Sequence, residues 1–284
     1  MQKLIRKKEQ PVIRENWKDG VLYFTFPSLE RTSGIIHGFS SRIGGVSERE
    51  FAQMNLSFSR GDDEAHVKEN YHRIAAAIGF DENGIVCSHQ THTVHVREVT
   101  REDCGKGYSR ERDYSDVDGL VTNEPGVILA TFYADCVPLY FVDPVHYAVG
   151  LSHSGWRGTV GDIAGETVRK LQQLYGTEPE QIRAAIGPSI CQDCYEVSED
   201  VIDQFRAAYE EALWPKLWSR GKEAGKYQLN LWEACRQNMI RAGILPEHIE
   251  VTDLCTCCNP QILFSHRASM GKRGNLAAFL GIRN

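Results

Sequence analysis

ATFYADCVPLYFVDPVHYAVGLSHSGWRG, residues 130 to 158, decides how the chain folds. Its apolar residues come in runs: Val127 to Tyr133, then after a polar break Val137 to Val142, then Tyr147 to Leu151. The runs are rich in β-branched and aromatic residues and bounded by Pro125, Gly126, Asp143, Pro144 and Gly155. Short apolar runs between turn residues read as buried strands rather than helices. Into this apolar ground the sequence sets Asp135, Cys136, His153 and Arg157. Asp and Arg are seldom fully buried without a partner. The stretch therefore reads as the holder of a metal and of the chemistry, with a plain Asp–Arg ion pair as the structural alternative.

Outward from this centre, strands are expected at Val21 to Phe26 and Gly34 to Ser40. A helix should start at Asp62 or Asp63 and stop at Gly79, with Val67, Tyr71, Ile74 and Ile78 on one stripe. Others are expected over about 159 to 175, over 199 to about 212, and from Asn230, with Glu233 three residues on, to Gly243. Strands and helices are interleaved and strands are the more numerous, which predicts a mixed α/β (α+β) fold with mixed sheets flanked by helices. No repeat or linker divides the chain. Residues 1 to 20 read as a loosely ordered lead-in, and 21 to 284 as a single catalytic domain.

The 284 residues are 42% hydrophobic and 25% charged, the composition of an ordinary globular chain. A formal net charge of −6 argues against a general affinity for nucleic acid or an anionic membrane. No apolar run approaches a membrane span, and the basic start MQKLIRKK is not followed by a signal-type segment, so a cytoplasmic protein is expected. Its nine cysteines then read as thiols, ligands or core residues rather than a disulfide framework.

Residues 85 to 99, IVCSHQTHTVHVREV, read as strand, turn, strand, and carry His89, His92 and His95. With residues 90 to 99 extended, His92 points to one face and His89 and His95 to the other. His92 stands out because it could meet Cys136 and His153. One thiolate and two imidazoles are the donor count of a catalytic zinc with one position left open, where a bound water's pKa falls from about 15.7 to about 7. Arg42, beside Gly44 and Gly45 in SSRIGGVS, offers an anion cradle or an ordinary turn, and the stretch by itself favours the turn.

The blocks HGFSSRIGG (37 to 45), QTH (90 to 92), DGLVT (118 to 122), ADCVP (134 to 138), SHSGWRG (152 to 158), AIGPSICQDCYEV (185 to 197) and CTCCNPQILFSHR (255 to 267) resemble, in order, the YfiH-like family. It is also called the polyphenol-oxidase or laccase-domain family. The resemblance implies a single domain of the cytotoxic-necrotizing-factor/YfiH type and one zinc held by His92, Cys136 and His153, with copper as a substitute. It also implies phosphorolysis of adenosine, inosine, guanosine and methylthioadenosine, together with deamination of adenosine. Two departures stand out: Thr93 follows His92 where Gly is usual, and GKRGN (271 to 275) replaces a more Thr- and Arg-rich run.

On that reading Asp135, Cys136 and His153 are the catalytic residues, with Asp135 moving a proton. Arg42, Arg157, His266 and Arg267 are candidates to hold phosphate, and Asn55 to touch the sugar, although a structural role suits Asn55 better and Arg157 equally well. Multicopper oxidation needs further clustered histidines, and the ten histidines here are scattered with no His-x-His pair. Cys191-x-x-Cys194 and Cys255-x-Cys257-Cys258 could form a second, structural zinc site, but CTCC is no clean knuckle and reduced thiols are the expectation. A cysteine hydrolase acting on a cell-wall precursor, with Cys136 as nucleophile and His153 as base, is the main alternative. A copper-dependent polyphenol oxidase and a non-catalytic binding module follow it. The functional protein is expected to be a monomer or homodimer.

Overall fold

A computed structural model describes residues 4–284, and the 130–158 stretch runs through its centre as three buried strands. Sheet one has the order β1 (Arg14–Lys18), β2 (Val21–Thr25), β3 (Ile35–Ser40), β15 (Leu276–Ile282), β7 (Ile128–Tyr133), β4 (Ile85–Cys87). Sheet two has the order β14 (Ile249–Val251), β10 (Arg183–Ile186), β8 (Val137–Asp143), β9 (Ala148–Ser154), β6 (Gly119–Thr122), β5 (Val96–Glu98). A small third sheet joins β11 (Glu196–Ser198), β13 (Lys226–Leu229) and β12 (Trp218–Arg220). The first two sheets are mixed: β4 runs parallel to β7, β5 to β6 and β14 to β10, while their other pairs are antiparallel. The helices are α1 (Pro27–Glu30), α2 (Glu64–Ile78), α3 (Trp156–Val160), α4 (Ile163–Tyr175), α5 (Glu199–Ala208), α6 (Trp214–Leu217), α7 (Leu231–Arg241) and α8 (His266–Ser269). None is long and apolar enough to cross a membrane.

Sheets one and two face each other across a core that includes Phe24, Phe39, Leu129, Tyr140, Leu151 and Leu280. α2 covers the outer face of sheet one with Val67, Tyr71 and Ile74. α4, α5 and α7 cover sheet two with Val168, Leu171, Phe205 and Met239. Side chains alternate along each strand. β8 therefore sends Tyr140 and Val142 toward sheet one and Leu139 and Phe141 toward the helices. With both faces covered, polar alternation vanishes, which is why these strands read as unbroken apolar runs. This is the mixed, helix-flanked single domain expected from the sequence.

The polar break Ala134–Asp135–Cys136 is where the chain leaves β7 in sheet one and enters β8 in sheet two. Asp135 takes φ 94 to make that crossing.

Several boundaries differ from expectation. The 159–175 helix is two helices, because Asp162 turns left-handed (φ 66) and caps α4 by accepting from the Gly165 amide. The 199–212 helix ends at Ala208, where Tyr209 goes extended and lays its ring on Phe205. Residues 90 to 95 are an irregular crossing between β4 and β5 rather than the start of a strand. The N-terminal stretch is not a loose lead-in: residues 14–18 form β1, Ile13 is buried, and Arg6 pairs with Asp253 at 2.6 Å. Its first three residues lie outside those described.

His37 in β3 accepts a hydrogen bond from the Phe26 amide at Nε2 (2.8 Å) and is 5% exposed. Desolvation pushes its pKa from 6.5 down to about 4. Because the folded value lies below the unfolded one, stability is full above about pH 6.5 and drains as the pH falls toward 4, by about 3 kcal/mol in total. His37→Gln keeps an acceptor but not the titration. In urea unfolding, the stability difference between the two chains should shift by about that amount in favour of the variant between pH 7 and 4.

Candidate metal site

Two chain crossings between the sheets, β4 to β5 and β7 to β8, meet at one end of the sandwich, and each delivers a side chain. The first brings His92. Gln90 pins this loop to the end of β7, its amide group donating to the Phe132 carbonyl at 2.8 Å and accepting from the Phe132 amide at 2.7 Å. The chain then bends at His92 (φ 67), a conformation L-residues seldom adopt without support. Asp118, just ahead of β6, supplies the support. Its carboxylate accepts from the amides of Thr91 (2.9 Å), His92 (3.1 Å) and Thr93 (3.1 Å).

The second crossing brings Cys136. β8 pairs with β9 so that Val137 faces Ser154 and Pro138 faces His153, which sets Cys136 at the strand end beside His153. His153 is buried, and its Nδ1 bonds the same Asp118 carboxylate at 2.7 Å, leaving Nε2 for another partner. His92 and His153 stack edge to face at 5.0 Å, and His92 Nε2 lies 3.9 Å from Cys136 Sγ. The ligand atoms of His92, Cys136 and His153 all fall within 4.8 Å of one another. Gly155 completes the fit. A β-carbon there would stand 2.7 Å from the His92 ring and 3.3 Å from the sulfur, so only glycine lets the three converge.

The electrostatics suit a cation. Desolvation raises the Cys136 thiol, but the charge of His153 and hydrogen bonds from His153 and His92 override it and bring the thiol down to about 6. Desolvation likewise opposes a charged His153, and the thiolate and Asp118 outweigh it, carrying the imidazole up to about 9. Asp118 is itself desolvated, yet the His153 bond and the loop amides hold its carboxyl below the usual range. One thiolate and two neutral imidazoles around an ion, with the buried imidazole oriented by a carboxylate, is a zinc-type set. The residues present fit that metal.

The cluster lies in the wall of a cleft of about 350 Å³, within the range of small-molecule sites. Ser57, Ser59, His89, Gln90, Arg112 and Arg273 are among its other lining residues. Arg273 lines it; one guanidinium nitrogen donates to the Gly274 carbonyl and the Asn275 side chain, its buried Nε has no hydrogen-bond partner, and desolvation together with repulsion from Arg60 lowers the guanidinium to about 10.

The expected substrate contacts lie elsewhere. Arg42 spends its guanidinium on the carbonyls of Ala52 and Pro260 and packs over Phe264, so the Gly-rich turn is braced rather than open to an anion. Asn55 is buried; its Oδ1 accepts from the Asn275 amide at 2.9 Å and its Nδ2 donates to Asp62. Arg157 is exposed and lies over Trp156 at 4.3 Å; no ion pair with Asp135 forms. His266 is exposed on α8. Arg267 donates to the carbonyls of Cys194 and Glu196 and lies over Tyr195. None of these five lines the cleft. Asp135 adjoins Cys136 in sequence, but its carboxylate accepts from the Thr256 hydroxyl (2.6 Å) and the Arg267 amide (2.7 Å), which makes it a brace between loops. His89 and His95 are held by the backbone of Asp116, outside the three-residue cluster; residues 90 to 95 are not the extended strand expected to turn them away from His92, and His89 lines the same cleft.

Sequence reasoning missed Asp118, Gln90 and Arg273. A signal for the first existed: a metal-bound imidazole needs an acceptor at its other nitrogen, and Asp118 is an acid at the head of an apolar strand.

Residues 36–283 match the family model described as multi-copper polyphenol oxidoreductase laccase. The chain is 40% identical to the purine nucleoside phosphorylase YlmD of Geobacillus stearothermophilus, over 88% of this chain and 91% of that protein. It is 33% identical to the adenosine deaminase RL5 of an unknown prokaryotic organism, over 82% and 88%. The crystal structure of the Bacillus licheniformis hypothetical protein YfiH superposes with a TM-score of 0.86 at 35% identity, covering 94% of this chain and 97% of that one.

Proposed function

This chain belongs to the multi-copper polyphenol oxidoreductase laccase family, and from that membership we propose that it is a zinc-dependent purine nucleoside phosphorylase that also deaminates adenosine. Adenosine, inosine, guanosine and methylthioadenosine are the proposed nucleosides, with phosphate as co-substrate. The observation that carries the reading is the Cys–His₂ cluster in the wall of a nucleoside-sized cleft whose other lining includes Arg112 and Arg273. Relatives named for phosphorolysis and for deamination support it.

When bound, zinc supplies Lewis-acid polarisation and a more acidic water. The chain's own residues supply the rest. Asp118 holds His153 in the tautomer that presents Nε2, and Gln90 fixes the His92 loop to the sheet. In phosphorolysis a phosphate oxygen bonds to the anomeric carbon, the C–N bond breaks, and the purine leaves with the electron pair and takes up a proton. Phosphate must be held as an anion against the sugar. Arg273 and Arg112, the two arginines that line the cleft, are the residues we place there. Of the residues expected from sequence, Arg157, His266 and Arg267 sit on exposed ground outside the cleft, and Arg42 and Asn55 brace its surroundings.

The donor set favours zinc over multicopper chemistry: among the described residues the only other convergent metal-type cluster is made of four cysteines, not histidines. The test is product analysis after incubation with adenosine, with and without phosphate. Adenine and ribose 1-phosphate should appear only with phosphate, and inosine or hypoxanthine alongside. Adenosine left intact by zinc-loaded protein would overturn the proposal.

A further inference from the structure

We propose that Cys191, Cys194, Cys255 and Cys258 hold a structural zinc ion, distinct from the His92, Cys136 and His153 cluster. The four sulfurs lie within 4.8 Å of one another, and those of Cys194 and Cys258 are 3.5 Å apart. In a tetrahedral site with Zn–S of about 2.3 Å the sulfurs stand about 3.8 Å apart, so the cluster needs little adjustment to close on the ion. Each half is a two-residue-spaced pair in a tight turn. Residues Gln192–Cys194 form a 3₁₀ turn with the Cys194 amide on the Cys191 carbonyl at 3.1 Å. Asn259 closes the other turn, donating to the Cys255 carbonyl at 2.9 Å. CTCC is thus a Cys-x-x-Cys turn after all, with Cys257 as a spacer and not a member of the cluster.

The surroundings suit thiolates. Cys255 Sγ accepts from the amides of Cys191 (3.2 Å) and Cys258 (3.4 Å). Lys7 pairs with Asp193 at 3.0 Å inside the first turn, placing a cation next to an ion site whose four thiolates carry net negative charge. Such spacing and convergence is the signature of closed structural zinc sites.

The ion has mechanical work to do. The two turns belong to loops that are also joined by the bridge of Ser189 to Cys255 and by the Cys191 amide on the Cys255 sulfur. Thr256, between the metal-binding cysteines, bonds Asp135 at 2.6 Å, and Arg267 reaches from Asp135 to the Cys194 carbonyl. The tetrathiolate site therefore clamps the loops that brace the crossing to Cys136.

Element-resolved mass spectrometry of the purified full chain tests this without an activity assay. Wild type should carry about two zinc ions, Cys191→Ser and Cys258→Ser about one, and Cys257→Ser about two. Cys136→Ser should keep about one, and when loaded with cobalt it should show the intense charge-transfer absorption of a tetrathiolate. That variant leaves the four cysteines intact, so it decides the matter if the others fail to fold, and it separates this site from the catalytic reading. A Cys136→Ser protein that binds neither zinc nor cobalt would overturn the proposal. So would a Cys191→Ser zinc count equal to wild type, or an intact mass lighter by two hydrogens for each oxidised cysteine pair.

Discussion

Asp118→Asn should weaken zinc binding at the His92, Cys136 and His153 cluster by about 10- to 100-fold, the usual effect of losing a group that orients a metal-bound histidine. Asp118→Ala should do more. The carboxylate is fully buried and gathers five donors: the three amides of residues 91 to 93, the Thr93 hydroxyl and His153 Nδ1. The asparagine keeps the shape but turns one acceptor into a donor, which must then face either the His153 proton or the loop amides. The alanine leaves all of them without an acceptor. At about 1 to 3 kcal/mol for each buried group left unpaired, reduced where water enters beside the exposed His92, the loss of stability should be roughly 3 to 5 kcal/mol. His92 would also lose the support for its left-handed backbone and swing out of the cluster. Competition with a chelator measures the first effect and urea unfolding the second. A variant that holds zinc as tightly as wild type would show that Asp118 only packs the loop.

That residue also marks how far the sequence could be read. The strands on either side of the 134–136 break were legible because burial on both faces leaves an unmistakable apolar run. Cys136 and His153 were legible because polar groups stand out in such runs. What could not be read was direction. Asp135 looks as functional as Cys136 on paper, yet the left-handed bend at Asp135 turns its carboxylate toward Thr256 and Arg267, more than a hundred residues ahead in the chain. Arg42 beside two glycines suggested an anion cradle, and only the folded chain shows carbonyls from Ala52 and Pro260 consuming its donors. Arg273, in the run that departs from the family pattern, meets the metal cluster because β15 pairs with β7 and carries the preceding turn to the mouth of the cleft. Contacts set by long-range register leave no local trace.

Cys136→Ser should weaken zinc binding at the first site by about 10² to 10³ and lower phosphorolysis and deamination together. A structural zinc site with four protein ligands is worth about 10 to 16 kcal/mol, or roughly 2.5 to 4 per ligand, which for the one thiolate of this three-ligand site is about 10² to 10³ in affinity. A serine hydroxyl, hard to deprotonate, recovers little of it. The same experiment addresses the rival reading. Asp118, His153 and Cys136 form a chain of orienter, base and thiol, the arrangement of a cysteine hydrolase. The lowered thiol does not choose between the readings, because a thiolate serves as ligand and as nucleophile alike. His92 does choose. Its bend, its three-amide support from Asp118 and the glycine that makes room for it all act to bring a second imidazole to the sulfur, which a nucleophile with one base does not need. Loss of both metal and turnover in Cys136→Ser, with the same loss in His92→Ala, is therefore the expected result. Turnover lost while the zinc count stays at the wild-type value would transfer the chemistry to the thiol.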